Sequence, residues 1–110
     1  MEIRTIGDVK IAVMESKFDS SIAKDEEAAL IGLIQGGAGK VIGDLSGTEY
    51  ISSAGLRILL LGAKTLQASG GRFVLCCLRP YVHEIFETAG FTRIFDIYDS
   101  EKDALKSFGK

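Results

Sequence analysis

Two short, nearly continuous apolar runs constrain the fold most: Lys40-Val41-Ile42-Gly43-Asp44-Leu45 and Arg72-Phe73-Val74-Leu75-Cys76-Cys77-Leu78. A strand wetted on one side alternates polar and apolar residues. These runs do not, so each needs cover on both faces, as in a parallel sheet flanked by helices. Between them lies a helical pattern from about Ala54 to Ser69, apolar at Leu56, Leu59, Leu60, Ala63 and Leu66 and stopped by Gly70-Gly71. A strand, a helix and a second doubly buried strand make a parallel pair joined by a crossover.

The remaining segments extend that unit. Ile3-Arg4-Thr5-Ile6 and Val9-Lys10-Ile11-Ala12-Val13-Met14 flank Gly7-Asp8, a two-residue hairpin turn, so the first pairing is antiparallel. Phe18-Asp19-Ser20-Ser21 offers cap residues for a first helix carrying Ile22, Ala29, Leu30, Leu33 and Ile34, which ends at Gly36-Gly37-Ala38-Gly39. Its acidic cluster Asp25-Glu26-Glu27 reads as solvated helix surface near the positive end of the dipole. Pro80 opens a third helix with Val82, Ile85, Phe86 and Ala89 on one side, closed by Gly90. Thr92 to Tyr98 reads as a last strand, and Asp99-Ser100 cap a terminal helix bearing Ala104, Leu105 and Phe108. The expected order is β-β-α-β-α-β-α-β-α in one α/β domain over residues 1–110, with a mixed, mostly parallel sheet and helices mainly on one face.

Several function classes can be set aside. Thirteen basic against fifteen acidic side chains give a net charge of −2, which provides no general basic footprint for nucleic acid. No segment approaches the roughly 18 apolar residues of a membrane span, and MEIRTIGDVK lacks the apolar run of a signal peptide, so a cytoplasmic location is expected. Adjacent Cys76 and Cys77 in a strand should point to opposite faces, as two free thiols rather than a disulfide or metal site. Gly39-Lys40 is no phosphate loop, because that pattern needs glycine at Ile34 and a hydroxyl at Val41. The single histidine, His83, and the strand-end carboxylate Asp44 each lack a catalytic partner nearby in sequence. No enzyme, cofactor or metal is expected.

Chemistry concentrates instead at Ile51-Ser52-Ser53-Ala54-Gly55-Leu56-Arg57, where two hydroxyls meet the start of the second helix. A cap needs one serine and is worth about 1 kcal/mol. The second is left over. Gly55 costs a helix about 1 kcal/mol against alanine, which implies close approach by a partner or a neighbouring loop.

These residues resemble a STAS domain of the anti-sigma-factor antagonist class, in which a strand ending in Asp-Leu or Asn-Leu leads through a turn to Asp-Ser-small-Gly-Leu at a helix start. The resemblance rests on Asp44-Leu45-Ser46-Gly47 and Ile51 to Arg57. It extends over Phe18-Asp19, Gly70 to Leu75, Val82 to Phe91 and Tyr98 to Ala104. It implies a non-enzymatic, bacterial regulatory protein that binds an anti-sigma serine kinase and is released when that kinase phosphorylates the motif serine, here Ser53; a serine phosphatase would restore the free form. The family aspartate corresponds to Ser52, a departure that keeps hydrogen bonding and loses charge. The implied partner surface comprises Ser52, Ser53, Ala54, Gly55, Leu56 and Arg57, with Asp19, Ser20 and Ser21 from the preceding loop. A second reading is a constitutive STAS scaffold in a lipid-transport or stress-signalling assembly. An exposed sheet edge leaves both a monomer and a homodimer open.

Overall fold

The Gly7-Asp8 turn joins β1 (Glu2–Ile6) to β2 (Val9–Val13) antiparallel, Ile6 opposite Val9, with Gly7 at φ 60°, a conformation open to glycine without steric cost. The computed structural model describes all 110 residues. After the hairpin come β3 (Lys17–Phe18), α1 (Ala23–Gln35), β4 (Lys40–Asp44), β5 (Tyr50–Ile51) and α2 (Ser53–Ala68). Then follow β6 (Arg72–Cys76), α3 (Pro80–Thr88), a 3-10 turn at Phe91–Arg93, β7 (Ile97–Tyr98) and α4 (Glu101–Lys106).

The main sheet has the order β1-β2-β4-β6-β7, and every pairing after the hairpin is parallel. The two apolar runs are its centre, with Val41, Ile42, Val74 and Leu75 wholly buried. Side chains of α1, α2 and α3 fill the larger core on one face, among them Leu30, Leu59, Leu66 and Phe86. On the other face Val9, Ile11, Ile42, Val74 and Cys76 pack beneath Ala104 of α4. Helices lie mainly on one face, as the sequence predicts, and α4 is the one that covers the other.

Five local features depart from the sequence reading. First, β3 and β5 form a separate two-stranded parallel sheet, with Phe18 opposite Ile51; strands of two residues carry no periodicity to detect. Second, the last strand is only Ile97–Tyr98. Phe91 and Phe95 are drawn into edge-on contact with Phe86, their ring centroids 6.0 and 6.2 Å away, and the backbone from Phe91 curls to allow it. Third, α1 starts from Ile22 with no side-chain cap; Asp19 instead accepts the Ser21 N–H at 2.9 Å in a local turn. Fourth, Glu26 is buried rather than solvated, because its Oε1 accepts from the Met1 amine at 2.9 Å.

The fifth departure concerns the thiols. Cys77 has φ 65°, the one non-glycine residue of the chain with positive φ, and this breaks the alternation expected of a strand. Cys76 and Cys77 therefore do not point to opposite faces. Both pack at the α4 face.

Candidate functional site

The parallel β3–β5 pair positions the serine junction. Because Phe18 lies opposite Ile51, the residues that follow each strand, Asp19-Ser20-Ser21 and Ser52-Ser53, leave the small sheet side by side. The Ser52 N–H donates to the Phe18 carbonyl at 2.9 Å, locking the two segments together. Two pieces far apart in sequence, predicted to share a surface, are thus brought to one edge.

The two serines have different jobs. Ser52 is the N-cap of α2: its backbone is extended, its Oγ accepts the Gly55 N–H at 3.2 Å, and its hydroxyl also points at the Phe18 carbonyl, 3.4 Å away. Ser53 is the first helical residue and is exposed. Its position at the mouth of a 16-residue helix with no acidic residue in the first turn is electropositive.

Gly55 has an internal explanation. A Cβ on it would lie 2.6 Å from the Phe18 carbonyl oxygen and 2.8 Å from Ile51 Cγ1. The neighbour that needs the missing side chain is β3. Of the residues expected to form the partner surface, Gly55 and Leu56 are buried, Ser20, Ser21, Ser53 and Arg57 are exposed, and Asp19, Ser52 and Ala54 are half-buried.

Beside Ser53 runs an open groove of about 440 Å³ whose lining includes Tyr50, Ile51, Leu56, Tyr81 and Ile85. Tyr50 and Tyr81 are 43% and 58% exposed, so two aromatic rings present apolar surface to solvent beside Ser53. Sequence reasoning missed this α3 wall. Tyr81, directly after the helix-opening Pro80 and outside the Val82–Phe86 stripe, was the available signal.

Asp19 is held in its charged form. The Ser21 hydroxyl and N–H both donate to its carboxylate and keep it below the usual range. His83, in α3, pairs on the surface with Glu87 at 2.8 Å.

Asp44 belongs to a different cluster, at the carboxyl end of β4 on the α4 face. Burial pushes its carboxyl up, but hydrogen bonds from Glu101 and the Ser46 N–H, with the Arg4 charge 3.8 Å away, outweigh burial and leave it below its ordinary value. Glu101 carries the other half of the pair: its hydrogen bond to Asp44 raises it, while Arg4 holds it in an ion pair. Burial, above all, pushes both neighbouring thiols up.

Comparison with known proteins identifies the family of this fold. The family model described as the STAS domain matches residues 1–104. BtrV of Bordetella bronchiseptica, named as an anti-sigma factor antagonist, is 42% identical over 98 residues, which cover 89% of this chain and 84% of BtrV. The chain belongs to the STAS family, among the anti-sigma factor antagonists. Solved structures share the fold at lower identity. An anti-sigma factor antagonist from Mycobacterium paratuberculosis superimposes with a TM-score of 0.91 at 21% identity, over 99% of this chain and 92% of that one. Unphosphorylated SpoIIAA of Bacillus gives 0.85 at 18% identity, over 97% of this chain and 94% of that one. No helix of this STAS domain is long and apolar enough to cross a membrane.

Proposed function

We propose that this STAS domain is a non-enzymatic switch protein that binds an anti-sigma serine kinase through the α2 mouth and is released when that kinase phosphorylates Ser53. The observation that carries the reading is the division of labour at the junction: Ser52 caps the helix, so Ser53 is free to be modified without loss of the cap. The antagonist name borne by BtrV supports an anti-sigma factor as the partner. A serine phosphatase closes the cycle.

The electrostatics give the sign. A phosphate adds about −1.5 to −2 charges. At a helix N-terminus it is tolerated or welcomed, typically by about 0.3–1 kcal/mol and by about 2 kcal/mol when partly buried. Arg57, exposed one turn further on, stands at the i+4 position from Ser53 and adds to that tolerance. Pressed into an interface beside Tyr50, Leu56 and Tyr81, an unmatched dianion costs several kcal/mol. The interface term is larger, so phosphorylation releases the partner and leaves the fold intact.

Incubation with the purified cognate kinase and ATP, followed by intact-mass measurement, tests this. One phosphate is expected on the wild type and none on Ser53→Ala. A shift that persists in Ser53→Ala and vanishes in Ser52→Ala would move the acceptor to the cap residue and end the proposed division. A complex equally stable for wild type, Ser53→Ala and Ser53→Asp would instead favour a constitutive scaffold.

A further inference from the structure

Away from the serine junction, on the α4 side of the sheet, two thiols and a carboxylate converge. Asp44 and Cys76 are register partners on adjacent strands β4 and β6, and both are buried. Regular strand geometry would send Cys77 to the far face. The left-handed φ of 65° at Cys77 returns its thiol to the near one, a conformation that disfavours any L side chain. As a result the Asp44 carboxylate and both Sγ atoms all lie within 4.8 Å of one another.

The cluster is fixed from several directions. The Cys77 N–H donates to the Tyr98 carbonyl at 3.0 Å, and the Leu45 N–H donates to the Cys76 carbonyl at 3.1 Å. Asp44 Oδ1 accepts the Ser46 N–H at 2.8 Å, and the Arg4 guanidinium, itself paired with Glu101, stands 3.8 Å from the Asp44 carboxylate. Outer partners of this kind orient the ligands of metal sites. Cys77 is only half-buried and provides a way in from solvent.

We propose that Asp44, Cys76 and Cys77 form a binding site for one thiophilic divalent cation of the zinc class. Two thiolates and one carboxylate make a donor set suited to Zn²⁺ and leave a fourth tetrahedral position open. Bonds of about 2.3 Å to sulfur and about 2.0 Å to oxygen place tetrahedral donors roughly 3.5–3.8 Å apart, so the present spread needs to close by about 1 Å. Binding converts both thiols to thiolates and releases two protons to solvent, leaving S–metal and O–metal bonds in place of two S–H bonds. The site is on the opposite face of the sheet from α2, and it stands or falls independently of Ser53.

The test titrates the full, reduced, metal-free chain with Co²⁺ as a spectroscopic probe and then with Zn²⁺. Thiolate-to-cobalt charge-transfer and tetrahedral bands are expected to saturate near one equivalent and to be erased by Zn²⁺. Cys77→Ala, at the half-exposed edge, should keep the wild-type circular dichroism and lose the charge-transfer band; Asp44→Asn should weaken Co²⁺ binding at least tenfold. Absence of a charge-transfer band in the wild type, or an unchanged titration in Cys77→Ala, would overturn the proposal.

Discussion

At the scale of single residues, Ser52 and Ser53 differ by one position and by almost everything that matters physically. Ser52 spends its oxygen on the Gly55 N–H, so Ser52→Ala should destabilise the domain by about 1 kcal/mol. Ser52→Asp, which restores the residue type of the resembling family motif, keeps an acceptor at the cap. It adds a favourable dipole interaction of about 0.3–1 kcal/mol, so its stability should equal or exceed wild type in chemical denaturation. A second residue-scale effect concerns Asp19. Its carboxyl is held below the usual range by the Ser21 hydroxyl and N–H, so the ionised group contributes stability above the unfolded value of about 3.9, and that contribution is lost as pH falls through the lower folded value. A carbon-detected titration of Asp19 should show a midpoint below about 3.9, and Ser21→Ala should raise it. The serine motif itself was legible because a cap needs one hydroxyl and the chain supplies two. The aromatic wall at Tyr50 and Tyr81 was not, since a groove between β5 and α3 is a property of packing between segments.

At the scale of elements, what could be read were segments long enough to show a period. The hairpin, the two central strands and the four helices each carry a pattern and a stop signal, and each is present. The small β3–β5 sheet was invisible, although Gly55, a helix glycine implying close approach by a partner or a neighbouring loop, recorded its presence. Thr92–Asp96 misled for another reason: its aromatic and β-branched residues read as strand, but Phe95 packs edge-on against both Phe73 and Phe86. Burial of aromatic rings, at 150–250 Å² each, outweighs strand propensity, whose whole scale spans about 1 kcal/mol. Glu26 misled because its partner, the Met1 amine, is remote in sequence. The β3–α2 contact makes its own expectation. Gly55→Ala gains about 1 kcal/mol of helix propensity, but its methyl would meet a backbone carbonyl oxygen at 2.6 Å, and backbone cannot rotate aside. Overpacking of this sort costs typically 1–3 kcal/mol, so the net change should be destabilising by up to about 2 kcal/mol, read as a lower denaturation midpoint. A stabilised variant would mean that the small sheet is free to move away from α2.

At the scale of the whole molecule, the sheet separates two tasks. Its α1–α3 side carries the serine junction and the groove, while the α4 side is a closure held by arginine contacts at both ends of the helix. Near its start Arg4 pairs with Glu101. Near its end Arg72 donates to Asp96 at 2.8 Å, to the Tyr98 hydroxyl at 3.0 Å and to Ser107 Oγ at 3.0 Å, and its guanidinium lies 5.1 Å from the centre of the Phe108 ring. Each hydrogen bond to a charged group is worth about 1.5–3 kcal/mol when shielded, and much less where water competes, as it does at the exposed Asp96. Arg72→Ala should therefore cost about 1–2 kcal/mol of stability, chiefly by loosening α4. If the two faces are separate in function, that variant should still bind the proposed kinase partner within about twofold of wild type, a difference of roughly 0.4 kcal/mol. Ser53→Asp should do the reverse, keeping wild-type stability within about 0.5 kcal/mol and losing at least tenfold in affinity, or about 1.4 kcal/mol. Denaturation and titration calorimetry on the same two variants measure both quantities. Loss of binding in Arg72→Ala at a temperature where it remains folded would show that α4 communicates through the sheet to the α2 mouth, and that binding and closure are one task.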